Sequence, residues 1–436
     1  MHETTAICEA AARHLLDPAS PAGAEAPDFL DWLGCPVPAR PGPAERNRAL
    51  LLRAASRFTR LFSLDCPTAP GLAVFGAEVP IGLLAAAPGL PLAGASGTGS
   101  SLLAAFEGCV GEGVELLSSV ETLADRDRCR PRPPKLDHAE WLARLLPPGA
   151  VPGYWLEVLR LDGPGTAWLP AGLCLRRATP EFPPPWPLSI GCAAGPTPEA
   201  AALHALLELV ERDAAALWWR GGQRGRPVAL EDPAAEAAMP LIAALRQGER
   251  GRRSWLLDLT GGLGVPVIAA LSTTVAGDGF CCGLAARPSR AAAARAALLE
   301  MAQMEMAHAV VLAKQAEAGP AALNPHDRAV LARFHGIGAE GCALLHPAGP
   351  AGPAAPGPDL PSDPAAAMAL LVGRLGAAGL PVLALDLTRP ELGLPVIRIL
   401  VPGLEAEPSR VIGERLATTI ARTGGGDCQT HGIALM

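Results

Sequence analysis

The chain has 436 residues, of which half are hydrophobic, and its formal net charge is −7. This length predicts two or three domain-sized units or one large α/β domain, with enough apolar residues for a substantial core. The acidic balance and the absence of a basic stripe with interleaved aromatic residues argue against nucleic acid as a partner.

The sequence predicts neither a membrane segment nor a cysteine-rich metal site. No apolar run reaches the roughly 20 residues that span a bilayer, and the N-terminus lacks the pattern of a signal peptide. We therefore expect a cytoplasmic protein with no membrane partner. The eleven cysteines form no CxxC pair, so we expect neither a zinc site nor a disulfide framework, and most should be free thiols.

In chain order, residues 1–55 predict two short helices joined by proline-rich turns. A strand-like segment follows from Ser56 to Pro91, and residues 130–153, rich in proline and basic residues, indicate a surface connection. The stretch 346–364 is the clearest internal loop, because proline and glycine dominate it. The residues after it predict a helix, an apolar strand and a second strand with the sequence VIRILVPGLE.

The most informative feature is an internal repeat. Three segments share a glycine-containing turn, a long helix rich in alanine and leucine, and carboxylates late in that helix: 94–117, 191–219 and 283–310. Gly191 precedes Glu208 by seventeen residues, and Gly283 precedes Glu300 by the same interval. This agreement of register favours a common structural role for the carboxylates.

The first segment shares a second interval with the middle one. Gly99 precedes Glu112 by thirteen residues, and Gly195 precedes Glu208 by the same number. Glu112 and Glu115 stand three residues apart, within flanks that carry few other charges. An isolated carboxylate pair is unremarkable on a helix, but a pair that recurs in register is harder to ascribe to chance.

The helix of the middle segment has well-defined predicted ends. Thr197 is a suitable N-cap, Pro198 suits the first helical position, and Gly221 and Gly222 follow the last turn. Its leucine and valine residues recur at helical spacing and predict a buried face.

A polar stripe lies opposite that face, because His204, Glu208, Glu211 and Arg212 are separated by steps that keep them on one side of a helix. One interpretation is a solvated face with an intrahelical salt bridge, which stabilises a helix by about 0.2–0.5 kcal/mol. The alternative is a binding site, and the recurrence of carboxylates in three segments favours it.

The third segment repeats this plan with changes. Gln303 follows Glu300 by three residues, at the place that Glu211 has in the middle segment, and Arg295 precedes them by about one turn. Carboxylates suit Mg²⁺, which proteins commonly bind with a few carboxylates and the phosphates of a substrate. Arg212 and Arg295 would complement the phosphate charge. The sequence has no Walker A or protein-kinase signature, so a nucleotide would occupy a less common type of site.

These motifs, in this order, resemble the YcaO family. The resemblance is carried by SGTG followed by the Glu112-x-x-Glu115 pair, by SIGCAAGPTPEAAALHALLELVERDA, by ARAALLEMAQ and by PVIRILVPGLE. It extends from about Arg57 to about Glu405, and FTRLFSLDCP resembles the family's opening segment. It implies an α/β (α+β) fold of the YcaO type, in which internally repeated strand-turn-helix units form the nucleotide site. The implied domains are a helical extension (1–55), a YcaO-like catalytic domain (56–420) and a C-terminal tail (421–436).

The resemblance implies ATP and Mg²⁺ as cofactors. By motif position, the implied cofactor-binding residues are Ser96, Glu112, Glu115, Glu208, Glu211, Arg212, Arg295, Glu300 and Gln303. The implied metal ligands among them are Glu112, Glu115, Glu208, Glu211 and Glu300. The resemblance assigns no catalytic residue.

Members of the family typically phosphorylate the oxygen of a backbone amide, after which a nucleophile attacks the carbon and phosphate leaves. The implied function is ATP-dependent amide activation in a ribosomally synthesised peptide, leading to a thioamide or an azoline. The implied partners are the precursor peptide and a partner protein, either TfuA-like or one that binds the leader peptide, and a homodimer is considered. The alternative is a catalytically degenerate member that binds a peptide or partner as a scaffold.

Two departures from the family pattern bear on this choice. Ile190 stands where the family often has an asparagine that contacts the nucleotide or metal. The C-terminal sequence GGGDCQTHGIALM lacks the PxPxP tail of many azoline-forming members. The missing tail favours thioamidation, or another backbone modification with a partner protein, over azoline formation.

Several other residues have ordinary alternatives. Asp213 either orients Arg212 or is a helical surface charge, and His204 either faces the site or is an ordinary partly buried histidine. The residues that we expect in apolar packing rather than in chemistry are Cys192, Cys281, Cys282, Trp218 and Trp219.

Overall fold

A computed structural model of the chain describes residues 2–19, 25–349 and 359–435. Two compact units are present. The first comprises residues 1–64, 73–206 and 381–402, and the second comprises 65–72, 207–380 and 403–436. The predicted loop 346–364 lies partly outside the described residues, so its conformation stays a prediction.

The α-helices occupy both units. Their bounds are α1 His2–Leu16, α2 Glu25–Trp32, α3 Pro43–Ala55, α4 Leu102–Ser118, α5 Leu123–Arg128, α6 Ala139–Leu145, α7 Ala171–Cys174, α8 Pro198–Trp219, α9 Pro233–Arg246, α10 Arg290–Ala318, α11 Pro325–Gly336, α12 Pro364–Ala377, α13 Glu414–Thr423 and α14 Asp427–Thr430. Short 3₁₀ turns lie at Ile81–Leu84, Pro320–Ala322 and Ala343–Leu345. The boundary between the units falls inside α8, between Leu206 and Leu207.

Within the described residues the strands form three antiparallel sheets. Their bounds are β1 Arg60–Leu64, β2 Ala73–Val79, β3 Ala93–Gly99, β4 Trp155–Arg160, β5 Thr166–Pro170, β6 Cys192–Ala194, β7 Arg226–Pro227, β8 Arg252–Asp258, β9 Val267–Thr274, β10 Cys281–Ala286, β11 Leu383–Asp386 and β12 Val396–Leu400. The first unit contains the sheets β1-β2-β3 and β5-β4-β11-β12-β6, and the second contains β10-β9-β8-β7. The mixed helices and sheets confirm the predicted α/β (α+β) class.

The predicted repeat is present as a strand followed by a long helix. β3 precedes α4, β6 precedes α8 and β10 precedes α10, and each of these strands lies at the edge of its sheet. A strand at an edge leaves one row of backbone amides without a strand partner. Those amides are therefore available to the side chains of a helix.

The N-terminal region contains three helices where the sequence predicted two. Cys8, Ala11, Ala12 and Leu15 lie on one face of α1 and are 0–1% exposed, which is the spacing of a helix packed on a core. α3 begins at Pro43, after a turn in which the Gly42 amide donates to a carboxylate oxygen of Glu45 at 2.8 Å. The proline-rich segment between α2 and α3 therefore ends where a helix begins, because proline suits the first turn.

Alanine-rich surfaces form the core of the second unit. Ala293, Ala297 and Met301 of α10 pack with Ile268 of β9 and Ala285 of β10. Within the described residues α10 is the one helix that is long and apolar enough to cross a membrane, although less than half of its most apolar stretch is buried. Its buried positions belong to this core, and it also carries Arg295, Glu300 and Glu305, which a lipid-facing helix would rarely contain.

Candidate functional site

The first carboxylate of a repeat is held by the strand that precedes its helix. In the first unit, the backbone amide of Ser96 on β3 donates to Oε2 of Glu112 on α4 at 2.8 Å. In the second unit, the amide of Leu284 on β10 donates to Oε2 of Glu300 on α10 at 3.1 Å. Both glutamates lie sixteen residues after their donors. The repeat seen in the sequence is therefore a repeat of hydrogen bonding.

The second carboxylate of a pair is held by the strand of the next repeat. The amide of Ala194 on β6 donates to Oε1 of Glu115 at 2.8 Å. The amide of Ala286 on β10 donates to Oε2 of Glu211 at 3.0 Å. Neutral backbone donors fix the direction of these side chains without cancelling their charge, which is the requirement for a preorganised cation site.

Glycines allow the strands to approach the helices closely. A Cβ on Gly97 of β3 would lie 2.2 Å from the Cys109 nitrogen on α4. A Cβ on Gly283 of β10 would lie 2.2 Å from both the Ala297 oxygen and the Met301 nitrogen on α10. Any larger residue would move the strand away from the helix that carries the glutamates.

A charged cluster forms around Glu211 in the second unit. Nη2 of Arg212 lies 3.5 Å from Oε1 of Glu208 and 3.8 Å from Oε1 of Glu211. Nη1 of Arg287, which follows β10, lies 4.0 Å from Oε2 of Glu211. The side chains of Arg212 and Glu211 are 16% and 7% exposed. The cluster is therefore mostly withdrawn from water, where charges interact more strongly.

Burial raises the pKa of Glu211 well above its usual range, and the negative charges of Glu300 and Glu208 add to this effect. Arg212 and Arg287 oppose it. Burial likewise raises the pKa of Glu300, while Arg212 opposes the change. The arrangement is therefore short of positive charge when all three carboxylates are ionised.

This donor set fits Mg²⁺ bound with a polyphosphate. The carboxylate oxygens are the hard ligands that Mg²⁺ prefers, and the arginines match phosphate oxygens. Within residues 2–19, 25–349 and 359–435, no three His, Cys, Asp or Glu side chains are placed to form a complete metal site by themselves. Mg²⁺ usually has one or two protein carboxylates and completes its shell with water and substrate phosphates.

The nine predicted cofactor-binding residues fall into two sets. Ser96, Glu112 and Glu115 lie in the first unit, and Glu208, Glu211, Arg212, Arg295, Glu300 and Gln303 lie in the second. That all nine residues bind the same nucleotide stays a prediction. Gln303 is half-buried on α10 one turn after Glu300, whereas Arg295 is exposed.

Arg287 is a candidate site residue that the sequence analysis missed, since it lies 4.0 Å from Glu211. The thirteen-residue interval that relates Gly99 to Glu112 and Gly195 to Glu208 also relates Arg287 to Glu300. That register was present in the sequence and would have identified Arg287. It was overlooked because the interval begins with glycine in the other two repeats and with arginine here.

The structure also shows where Asp213, His204 and Ile190 lie, for which the sequence left alternatives open. Asp213 is 3% exposed, pairs with Arg415 at 2.8 Å and accepts from the Glu405 amide at 3.0 Å, so it is neither a surface charge nor a partner of Arg212. His204 is exposed. Ile190 is 3% exposed and belongs to the apolar interior.

The residues expected in apolar packing are buried. Trp218 and Trp219 are each 1% exposed. None of the eleven cysteines, all of which lie within the described residues, forms a disulfide, and ten of them are buried, Cys428 being exposed. Burial raises the pKa of Cys281 to about 12 and that of Cys282 well above its usual value, which disfavours the thiolate that sulfur transfer requires.

Comparison with known proteins agrees with this geometry. The chain matches a protein-family model described as "YcaO cyclodehydratase, ATP- and Mg²⁺-binding" over residues 96–405. No curated protein matches the chain.

Several solved structures share the fold. A heterocyclase in complex with substrate and cofactor is 24% identical with a TM-score of 0.65; the match covers 88% of this chain and 55% of that one. This chain therefore spans about half the length of that heterocyclase. A YcaO protein from Methanopyrus kandleri, bound with AMPPCP and Mg²⁺, is 21% identical with a TM-score of 0.60, and the match covers 83% and 91% of the two chains. The E. coli microcin synthetase McbBCD complex is 14% identical with a TM-score of 0.51, and the match covers 79% and 87%.

Proposed function

The chain belongs to the YcaO family, and from this premise we propose that it uses ATP and Mg²⁺ to activate a backbone amide in a ribosomally synthesised peptide. One observation carries the proposal. Four of the five glutamates that the family resemblance selects, Glu112, Glu115, Glu211 and Glu300, each accept a hydrogen bond from a backbone amide of a repeat strand. Glu211 also lies beside two arginines. Such an arrangement suits a metal-bound polyphosphate and serves no evident structural purpose.

The proposed role of the glutamates is to hold Mg²⁺, and that of Arg212 and Arg287 is to orient the phosphates. When bound, Mg²⁺ neutralises phosphate charge and ATP supplies the phosphoryl group. Positioning and charge stabilisation account for most of the catalysis of phosphoryl transfer. The burial of Glu211 supports this role, because electrostatic interactions are stronger where water is excluded.

The proposed reaction replaces a poor leaving group with a good one. The amide oxygen accepts the γ-phosphoryl group and ADP departs. A nucleophile then adds to the amide carbon, and the original oxygen leaves with the phosphate. No described residue is assigned as the acid or base that moves the nucleophile's proton.

Azoline formation is the product class that the relatives' names favour, since the family description specifies a cyclodehydratase and the structure of highest TM-score given above is a heterocyclase. Thioamide formation is the second candidate, because it is the other product that the family resemblance implies. Mass spectrometry of a peptide encoded beside this protein and co-expressed with it distinguishes them. Attack by a Cys, Ser or Thr side chain of the peptide removes water, a loss of about 18 Da, whereas replacement of oxygen by sulfur adds about 16 Da.

We also propose that the chain works with a precursor peptide and a partner protein. The names of the structural neighbours include a bound substrate and a multi-protein synthetase complex, which supports this idea. A TfuA-like partner, a leader-peptide-binding partner, a homodimer and a cytoplasmic location stay predictions. Co-purification with the products of neighbouring genes would test the partner.

The scaffold alternative predicts that the nucleotide site has lost its function. Calorimetric titration of the purified protein with Mg·ATP, with and without its partner, tests this directly. We expect saturable binding that EDTA abolishes. Absence of binding under both conditions would favour the scaffold and reject the proposed enzyme.

A further inference from the structure

Two neighbouring arginine side chains of the first unit, one fully buried and one half-buried, have no acidic partner among the described residues. Arg398 is the middle residue of β12, where it lies opposite Leu385 of β11 and Cys192 of β6. It is 0% exposed. Arg176 follows α7, and its backbone amide donates to the carbonyl oxygen of Ser119 at 2.7 Å. The two guanidinium groups are near enough that the charge of Arg398, together with the larger effect of burial, lowers the pKa of Arg176.

Three nitrogens of this pair are buried and have no hydrogen-bond partner: Nε and Nη2 of Arg398 and Nε of Arg176. The remaining hydrogen bond of the Arg398 side chain runs from Nη1 to the carbonyl oxygen of Leu188. Within the part of the chain that the structure describes, no carboxylate lies within ion-pair distance of either guanidinium group. Two neighbouring positive charges therefore leave three buried donor nitrogens without an acceptor.

Other buried arginines of the same unit are compensated. Arg389 lies 2.9 Å from Asp125 and also donates to the carbonyl oxygen of Ser118. Arg177 lies 2.7 Å from Glu121. A buried charge without a counter-charge is strongly destabilising, so the exception at Arg398 and Arg176 needs an explanation.

Two thiols lie near the pair, and Cys174 does not provide the missing charge, which leaves Cys192, near Arg176, as the competing source. Cys174 is 0% exposed, and burial raises the pKa of its thiol to about 12, so it is neutral near pH 7. A buried water molecule would accept hydrogen bonds but carries no net charge. A guanidinium group has only donors, and its planar fork matches the paired oxygens of an oxyanion.

We propose that Arg398 and Arg176 bind a small tetrahedral oxyanion of the phosphate type. Such an anion offers several acceptor oxygens to the three unpaired nitrogens and neutralises both guanidinium groups. The site is separate from the predicted ligands, yet it is connected to one of them. Arg398 lies opposite Cys192 on β6, and Ala194 of the same strand donates to Glu115, so the anion would also brace the strand that positions this carboxylate.

Inorganic phosphate tests the proposal, with thermal unfolding and calorimetry in EDTA as measurements. To exclude phosphate bound by the nucleotide site, the titrations use the wild type and Arg212→Met in parallel. We expect a saturable rise in Tm of several degrees in both proteins. Arg398→Met should lose the saturable response, and Arg176→Met should bind phosphate at least about tenfold more weakly, since one of the two guanidinium groups is absent.

Several controls separate specific binding from general effects. Phosphate stabilises most proteins weakly by exclusion from their surface, and that effect does not saturate and persists in every variant. Without phosphate, Arg398→Met should be at least as stable as the wild type, because it removes an uncompensated charge while keeping similar volume. If Arg398→Met does not fold, the Arg176→Met and wild-type titrations decide the question.

Two results would overturn the proposal. One is the absence of saturable phosphate binding in the wild type and in Arg212→Met. The other is an undiminished response in both arginine variants. Cys192→Ala should keep the phosphate response; if instead it loses stability while the wild type ignores phosphate, a Cys192 thiolate is the counter-charge and the oxyanion is excluded.

Discussion

Among the predicted carboxylates, Glu211 combines the strongest set of constraints. It is 5% exposed, it accepts the Ala286 amide, and Arg212 and Arg287 lie within 4.0 Å. Burial opposes its ionisation. Its retention in the interior is intelligible if a bound cation completes the charge balance, because a buried carboxylate without such a role is rare.

At the residue scale, Glu211→Gln should nearly abolish Mg·ATP turnover. The glutamine side chain keeps the volume of glutamate and can still accept a hydrogen bond from the Ala286 backbone N–H, but it removes the charge. Loss of one electrostatic group in a water-excluded site typically lowers kcat by about 10²–10³-fold. ATP hydrolysis and product formation in the presence of the peptide measure the effect.

Glu199→Gln is the matched control for this variant, since Glu199 is an exposed glutamate in the first turn of the same helix. It should retain the wild-type rate. Turnover by Glu211→Gln at the wild-type rate would remove Glu211 from the site.

Arg287 and Arg295 differ in how well each is placed to bind the phosphate. Arg287 lies 4.0 Å from Glu211, whereas Arg295 is exposed and has no ion pair among the described residues. We therefore expect Arg287→Met to weaken Mg·ATP binding by at least about tenfold and Arg295→Met to weaken it less, because bidentate guanidinium contacts to phosphate are lost in the first variant. Calorimetry measures both. The reverse order would restore Arg295 as the phosphate ligand that the family resemblance implies.

At the scale of elements, a repeat strand contacts its helix closely because a glycine on the strand has no side chain. Gly283 of β10 allows backbone atoms of α10 to approach its Cα, next to Leu284, whose amide holds Glu300. The same close approach occurs at Gly97 in the first unit. Glycine therefore serves two purposes: it allows the strand to pack on the helix, and it keeps the strand amides close enough to orient the carboxylates.

Gly283→Ala should destabilise the second unit and weaken nucleotide binding together. The added Cβ would lie 2.2 Å from two backbone atoms of α10, and overpacking of this kind costs about 1–3 kcal/mol or more. Urea unfolding and Mg·ATP titration measure the two effects. Gly341→Ala is the control, because its Cβ meets no atom within 4 Å; equal behaviour of the two variants would contradict this interpretation of the packing.

The start of α10 is joined to the start of α9 by a buried ion pair. Arg290 binds Asp232, the N-cap residue of α9, at 2.6 Å. Arg290→Met leaves this buried carboxylate without its partner and should cost about 3–5 kcal/mol in free energy of unfolding. Arg295→Met, on the exposed face of the same helix, should change it by less than about 0.5 kcal/mol. A loss in Arg290→Met no larger than in this control would contradict the assignment.

The same pair determines how stability depends on acid. Burial alone would raise the pKa of Asp232, but the hydrogen bonds from Arg290 and the Ala234 amide, together with the charge of Arg290, outweigh it and lower the pKa below its usual value. The stabilisation is therefore present above the unfolded pKa of about 3.9 and is lost as the pH falls through the folded value. In Arg290→Met the groups that lower the folded pKa are lost, so the acid-dependent loss of stability should be smaller than in the wild type in urea unfolding measured between neutral pH and pH 3.

At the scale of the whole molecule, the C-terminal segment is an integral part of the second unit. Nε1 of Trp219 donates to the carbonyl oxygen of Ile433 at 2.7 Å, and Leu435 is 3% exposed. The tail that was predicted as a separate segment, 421–436, begins within α13. A segment with such contacts stabilises the fold, whether or not it also takes part in catalysis.

Removal of the thirteen residues 424–436 should therefore lower the Tm, because it exposes Trp219 and leaves its buried N–H without a partner. Loss of a buried hydrogen-bond partner alone costs about 1–3 kcal/mol. Ala434→Ser, which alters an exposed side chain in the same segment, should leave the Tm unchanged. An unchanged Tm in the truncated protein would mean that the tail is dispensable for folding.

The ends of the helix in the middle repeat could be predicted from the sequence alone, because they depend on local chemistry. The Thr197 side chain accepts from the Ala200 amide, α8 begins at Pro198 and ends at Trp219, and Gly222 adopts a φ of +72°. Capping, the fixed φ of proline and the freedom of glycine act over a few residues, so they can be recognised without a fold. The register of Glu112, Glu208 and Glu300 is likewise a property of spacing.

Tertiary structure alone decided which groups surround those carboxylates. The Ala194 and Ala286 amides are donors supplied by other repeats, and Asp213 is paired with Arg415, 202 residues later. The nitrogens of Arg176 and Arg398 that have no hydrogen-bond partner are recognisable only once chain folding has removed them from water. Burial and long-range pairing depend on which distant segments meet, and no periodicity within a helix or strand encodes that.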